Sequence, residues 1–169
     1  DLIMRSTLTS ECLYISPSVE NLLGYTPDEL VGRQTIDLVH PDDQIILWEA
    51  YATALEHNEV ILPHQYRAKH KAGHYVWLET LGKPLFKDGS NEILGVITSS
   101  REITERKQSE EALRQSEQML FNVLENIPVQ IFWKDRNSVY RGCNTRHAQA
   151  VGLASRDEIA GKTDHDFIS

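Results

Sequence analysis

Seven histidines and two cysteines are the side chains of this sequence most able to support metal, haem or redox chemistry. His70 and His74 flank Lys71-Ala72-Gly73 and face each other across a tight hairpin, which brings two imidazoles together. Zinc takes three or four ligands, and no further partner is evident for this pair. His57 ends a long helical pattern and His64 begins the strand after it, but neither sits in a recognisable haem pattern. His40, just before Pro41-Asp42-Asp43, is expected to cap the helix that opens there. Cys12 and Cys143 stand on strand patterns, where a cysteine acts as a small buried hydrophobe, and they are too far apart for a disulfide framework. No Ser-centred nucleophile elbow, phosphate loop or paired-carboxylate setting is legible. Nor is there the phosphorylatable His motif of a histidine kinase or the Gly-Gly-acid motif of a cyclic-dinucleotide synthase. No metal site and no catalytic activity are expected.

The composition agrees. With 40% hydrophobic and 25% charged residues among 169, the chain is an ordinary globular sequence holding one domain or two small ones. A net charge of −8 disfavours a nucleic-acid partner, because phosphate binding needs clustered Lys and Arg, and the basic stretch Arg101 to Lys107 is interleaved with Glu102 and Glu105. No run of apolar residues is long enough to span a bilayer. The sequence is read as a cytoplasmic fragment of a longer protein, with any membrane anchor lying outside it.

Residues 1 to 16 alternate around a loop at Thr9 to Glu11, which predicts a hairpin of "DLIMRS" with "CLYIS". "SPSVENLLGY" reads as a short helix stopped at Gly24, and "TPDELVG" carries a capping box of Thr26 with Glu29. A helix is expected from Pro41 to His57, with Ile45, Ile46, Ala50, Thr53 and Ala54 toward a core. Three strands follow, near 62 to 70, 74 to 84 and 92 to 101, and Lys87-Asp88-Gly89 marks the second turn. This order predicts an α+β domain built on antiparallel strands and ending near residue 103.

The last strand runs into a helix with no Gly or Pro between them. Thr104 to Asn126 is uninterrupted, and about 23 residues at 1.5 Å rise make a rod of roughly 35 Å. A heptad register puts Arg106, Leu113, Leu120 and Ile127 at one core position and Ser109, Ser116 and Val123 at the other. The competing register sets Glu110 and Glu117 against their own copies in a parallel dimer. Two readings stand for the segment 104–127: a weak parallel coiled coil that joins two copies, or a solvated linker.

Beyond it, "NTRHAQAVGLASRDEIAGK" at 144 to 162 repeats "SPSVENLLGYTPDELVGR" at 16 to 33, with Gly152 matching Gly24 and, after one extra residue, Glu158 and Gly161 matching Glu29 and Gly32. "QIFWKDRNSVYRGCN" before it reads as strand, turn at Asp135 to Ser138, and strand. The chain is therefore divided into a domain at 1–103, a helix at 104–127, and the beginning of the same domain again at 128–169.

The ordered set "YISPSVENLLGYTPDELVGR", "HPDD", "YRAKHKAGHYVWLETLGKPLFKDG" and "GVITSSREITERK" resembles the PAS family of sensory domains with its C-terminal PAC motif, as found in bacterial sensor histidine kinases. The resemblance implies a cupped five-stranded antiparallel sheet with short helices over one face, holding a small ligand or a packed core. Flavin photosensors of this fold carry Asn-Cys-Arg-Phe-Leu after the capped helix. Here Gln34-Thr35-Ile36-Asp37-Leu38 and Thr163-Asp164-His165-Asp166-Phe167 occupy the matching places without the reactive cysteine, so flavin is disfavoured, as is haem. Pocket candidates are Leu38, Leu55, Tyr66, Ala68, Leu78, Thr80 and Ile97, with Tyr66 and Thr80 hydrogen-bonding a small polar ligand. Relay candidates are Glu102, Ile103 and Thr104 at the junction and Leu113, Leu120 and Ile127 on the helix. Glu102 replaces the Asp of the family's Asp-Ile-Thr, so the ion pair that this acid often makes is expected with an arm one methylene longer. The implied function is signal transduction, through a ligand or a dimer rearrangement, to an effector in the same chain. The alternatives are the front end of a diguanylate cyclase or phosphodiesterase, or a ligand-free dimerisation scaffold.

Overall fold

Five stretches of alternating or β-branched residues pair into one antiparallel sheet. The computed structural model describes residues 1–57, 61–90 and 92–167, and of residues 50, 51, 53–57, 61 and 62 the backbone alone. Two compact units result, Asp1–Gln108 and Ser109–Ser169.

In the first unit β1 (Leu2–Ser6) and β2 (Cys12–Ile15) form the opening hairpin, and β3 (Ile61–Lys69), β4 (Tyr75–Phe86) and β5 (Ile93–Glu102) follow as consecutive strands. The sheet order is β2-β1-β5-β4-β3, so the chain's first strand lies against its last. Between them run α1 (Ser18–Leu23), α2 (Pro27–Leu30), a 3-10 turn at Thr35–Leu38 and α3 (Pro41–His57). One face of the sheet is buried under these helices. Leu2, Cys12, Ile15, Val19, Leu23, Leu30, Ala68, Val76 and Leu78 make the core, and Met4, Leu38 and Tyr66 pack against it.

Local chemistry sets the helices. Gly24 takes a positive φ of 77° to end α1, and a Cβ there would fall 2.8 Å from the His70 ring. The β3–β4 turn docks against that end, with the Lys71 N–H donating to Leu23 at 2.9 Å and its ammonium to Glu29 at 2.6 Å. Thr26 and Glu29 form the expected capping box of α2. The start of α3 is strapped to β3: the His40 N–H donates to the Arg67 carbonyl, and Asp43 accepts from the Arg67 backbone and from both arms of its guanidinium. Gln44 donates to the Ile36 and Val39 carbonyls.

That strap corrects the sequence reading of α3. Asp43, Gln44 and Leu47 lie on one stripe at helical spacing, and tying the first two to the sheet and the preceding turn faces Leu47 inward. Ile45 and Ile46, expected in the core, are turned outward at 67% and 59% exposure. The side chains of Ala50, Thr53 and Ala54 lie outside the described residues.

Helix α4 (Thr104–Asn126) follows β5 after the single residue Ile103, and contains no buried residue. In the second unit β6 (Phe132–Lys134) and β7 (Tyr140–Cys143) make a hairpin, followed by α5 (Thr145–Ala150) and short 3-10 turns. Its backbone repeats the opening of the first unit, residues 3–32, at an offset of 128 residues that becomes 129 by Gly161. Ser16 N–H bonds the Ile3 carbonyl as Asn144 bonds Ile131; Thr7 bonds Glu11 as Asp135 bonds Val139. Ser10 and Ser138, the non-glycine residues with positive φ among the described residues, fall at equivalent turns. The segment after the capping box closes on the strand both times, through Gly32 to Cys12 and Gly161 to Tyr140. Asn144 anchors the second unit: buried, it donates to the Leu124 and Val129 carbonyls and accepts from Ile131 and His147.

Candidate functional site

The cup of the first sheet holds a cavity of about 80 Å³. Its floor is Leu2, Met4 and Ser6 of β1, Tyr66 and Ala68 of β3, Leu78 of β4 and Ser100 of β5, and its roof includes Leu38, Val39, Leu47 and Trp48. The β1–β2 turn and Thr35–Ile36 complete the wall, and the exposed side chains of Leu8 and Trp48 bring the cavity to the surface there.

Of the residues proposed from sequence, Leu38, Tyr66, Ala68 and Leu78 line this space. Thr80 is buried just behind the wall and reaches it through hydrogen bonds: its hydroxyl donates to the Tyr66 phenol at 3.2 Å and meets the Ser100 hydroxyl at 2.6 Å. Ile97 is not part of it. Strand alternation turns Val96, Thr98 and Ser100 into the cup and Ile97 to the opposite face, where it pairs with Arg5 and Lys83 in register. The side chain of Leu55 lies outside the described residues. Ser6, Ser100 and Trp48 were missed; Ser100 was accessible, since it stands directly opposite Thr80 once the β4–β5 register is fixed. Burial pushes the Tyr66 phenol above its ordinary pKa, and the hydroxyls of Thr80 and Ser100 oppose that shift by favouring the ionised form.

A second constellation lies where the sheet passes into α4. Ile103 is buried at 5% exposure, and its N–H donates to the Trp77 carbonyl. Thr104 accepts the Trp77 N–H on its hydroxyl at 3.0 Å. The expected acid at this junction was Glu102; the ion pairs instead gather on Glu79, which faces outward from β4. Glu79 accepts from Gln65 of β3 at 2.9 Å, from the Arg101 guanidinium of β5, and from Arg106 of α4 at 3.0 Å. Those bonds, that of Arg106 first, hold its carboxyl down at a pKa of about 2. Glu102 is one residue too late: it stands opposite Leu78 and its side chain is exposed. Further along, Leu113 and Leu120 are exposed on α4.

His40, His70, His74 and both cysteines take structural places. His70 and His74 stack with ring centroids 4.3 Å apart, and the His70 ring accepts the Ala72 N–H. His40 does accept the Asp42 N–H at the start of α3. The side chain of His57 lies outside the described residues. Both cysteines are buried, and burial raises their thiol pKa values. Among the described residues, no group of three or more His, Cys, Asp or Glu is arranged to hold a metal ion, and no helix is long and apolar enough to cross a membrane.

Residues 12–99 match a family model described as the PAS fold, which takes in just over half of the chain. The chain belongs to the PAS fold family. Among curated proteins, an aryl hydrocarbon receptor nuclear translocator homolog from Drosophila melanogaster is 29% identical to this PAS chain over 100 residues, 59% of the chain and 16% of that protein. The chain spans less than a quarter of the length of the curated relatives it matches. Among solved structures, a sensory box histidine kinase/response regulator from Burkholderia thailandensis E264 superposes with a TM-score of 0.58 at 27% identity, covering 70% of this chain and 88% of that one. The N-terminal domain of a diguanylate cyclase with PAS/PAC sensor from Marinobacter aquaeolei gives 0.55 at 25% identity, covering 63% and 97%.

Proposed function

We propose that this PAS chain is a sensory and relay segment of a multidomain bacterial signalling protein, a sensor histidine kinase, in which a small molecule in the cup alters how β4 and β5 hold α4. One observation carries the reading. Ser100 lines the cavity on the inner face of β5 and bonds Thr80 just behind the wall on β4, while their sequence neighbours Arg101 and Glu79 pair on the outer face of the same two strands, where Glu79 also grips Arg106 of α4. A guest that shifts the inner pair moves the outer pair with it, since a strand's alternate side chains share one backbone.

The kinase parentage is supported by the Burkholderia match, which spans most of both chains. A diguanylate cyclase front end is the second reading, favoured by the Marinobacter structure. We further propose that residues 128–169 open a second PAS domain, supported by the backbone repeat, and that α4 joins two copies in parallel through its exposed Leu113 and Leu120, with Ile127 just past its end, and with the effector in the same chain on the cytoplasmic side. The segment itself turns nothing over and binds no nucleic acid.

The test is a native mass spectrum and an absorption spectrum of the purified protein. A bound mass released on denaturation supports the sensor. A protein that carries none, and whose melting no small molecule shifts, points to a ligand-free dimerisation scaffold.

A further inference from the structure

His147 is a buried titratable group to which the sensory reading gives no part. It stands where the repeat has Val19 in the first unit, a fully buried core residue. The imidazole is 5% exposed, with its centroid 4.6 Å from that of the Phe132 ring and 5.8 Å from that of Tyr140. Its Nδ1 meets the Gln130 amide oxygen at 3.3 Å, and its Nε2 is buried with no hydrogen-bond partner. The neutral ring thus leaves one nitrogen unsatisfied. The imidazolium is worse: both nitrogens carry protons, so whichever of them holds the proton of the neutral ring, the cation has an N–H without an acceptor and a charge without water. The neighbours give it no counterion. Lys134 on β6 adds a second positive charge. Asp164, on the 3-10 turn beside it, is taken up by the Lys134 ammonium at 2.5 Å and the Tyr140 hydroxyl of β7 at 2.9 Å. Glu125 of α4 accepts from the Thr145 N–H and from Arg156. Burial first, and then Lys134, hold the ring below its ordinary pKa of 6.5.

The place of this ring in the chain gives its protonation a reach. The His147 N–H donates at 3.0 Å to the side chain of Asn144, the residue that caps α5. The same Asn144 donates to the Leu124 carbonyl in the last turn of α4 and to the Val129 carbonyl, and Thr145, the first residue of α5, donates its N–H to Glu125. A ring that must reach water pulls on the first turn of α5, and that turn is what holds the end of α4. We infer that the second unit carries an acid-sensitive catch: a proton taken up at His147 opens the first turn of α5 and frees the last turn of α4. The catch goes beyond the sensory reading and does not depend on what the cup binds. Because the folded pKa lies below the unfolded one, the catch is fully closed above about pH 6.5 and weakens as pH falls below it.

The test is amide hydrogen exchange of the whole isotope-labelled chain, followed by NMR and corrected for the intrinsic rate at each pH. One group whose unfolded pKa is near 6.5 makes opening about tenfold more favourable between about pH 7.5 and about pH 5.5, so the protection of α5 and of Leu124 to Asn126 should fall by that factor while β4 and β5 keep theirs. His147→Val, which installs the residue of the first unit, should remove this dependence. On the unaltered protein the Hε1 proton of the His147 ring should titrate with a midpoint below 6.5, so the test does not rest on the variant folding. Equal protection at the two pH values would overturn the catch. So would a fall that persists in His147→Val, since the sensitivity would then belong to another group. A midpoint at or above 6.5 would overturn it as well, because the folded unit would be accommodating the cation.

Discussion

Replacing Ile103 by Ala tests whether the junction into α4 is a fastening or merely a place where one element follows another. Ile103 is the single residue between β5 and α4, buried at 5% exposure and bonded through its N–H to Trp77. The substitution deletes three carbons, worth about 2.4 kcal/mol at about 0.8 kcal/mol per buried methylene. The unfilled void adds to this, so a loss of about 3 kcal/mol is expected, within the roughly 2–5 kcal/mol found for such truncations. The assay is urea unfolding followed at the Trp77 indole, which reports the first unit, with the protein dilute enough to be monomeric. Hydrogen exchange should show the first two turns of α4 losing protection while the β1–β5 pairing keeps it. Leu113→Ala, on the same helix but 61% exposed, is the control and should change stability by less than about 0.5 kcal/mol. A loss under about 1 kcal/mol for Ile103→Ala, or an equal loss for Leu113→Ala, would refute the claim that burial at the junction fixes the helix to the sheet.

Glu79 has a folded pKa near 2, below its ordinary value of 4.5, so its contribution to stability is complete above about pH 4.5 and lost as pH falls toward 2. Glu79→Gln should flatten the acid side of the stability profile in that window, measured by thermal unfolding in low salt; an unchanged slope would count against the cluster. Asn144→Ala removes four hydrogen bonds from a fully buried side chain, one of them to the buried His147 N–H, so the second unit alone should lose about 2–4 kcal/mol by urea unfolding read at the Trp133 indole. Each residue turns a helix by about 100°, so deleting one residue between Lys107 and Gln115 in the full protein should lock its effector, whereas deleting Lys107 to Leu113 should nearly restore regulation; equal outcomes would make α4 a tether. Leu120→Glu should weaken self-association in sedimentation by a few kcal/mol at most, and unchanged association would remove Leu120 from the seam.

Period and turn chemistry made most of the first unit legible. Strand ends were read within about two residues because β-branched alternation and the turns at Lys71–Gly73 and Lys87–Gly89 bound them closely. What stayed hidden depends on a choice among faces. Ile45 and Ile46 are apolar, and they point outward because Asp43 is tied to Arg67, which lies 24 residues further along the chain, and Gln44 to the preceding turn. Val96 and Ile97 were equally good inward residues until the pairing of β5 with β1 and β4 chose between them. Glu102 drew attention because it precedes Ile103 and Thr104, yet the acid that binds the helix is Glu79, brought beside Arg101 by strand register rather than by sequence proximity. The cavity was legible in four of its wall residues and not in its donor chain, which needs Thr80, Ser100 and Tyr66 on three neighbouring strands at once.

The bonds that strap Arg67 to the start of α3 also bear on aggregation. Strand β3 is an edge of the sheet, and an exposed edge is a template for another chain's strand. At Arg67 the outward N–H is taken by a carboxylate and the outward carbonyl by the His40 N–H, so an incoming strand finds neither group available. The opposite edge is treated alike, with the N–H and carbonyl of Cys12 on β2 taken by Arg33 and Gly32. The start of α3 blocks one edge of the sheet and the segment after α2 the other. Strand-to-strand fibril growth is obstructed at both edges, and a segment shorn of residues 30–45 should be far more prone to precipitate than one carrying any single core truncation.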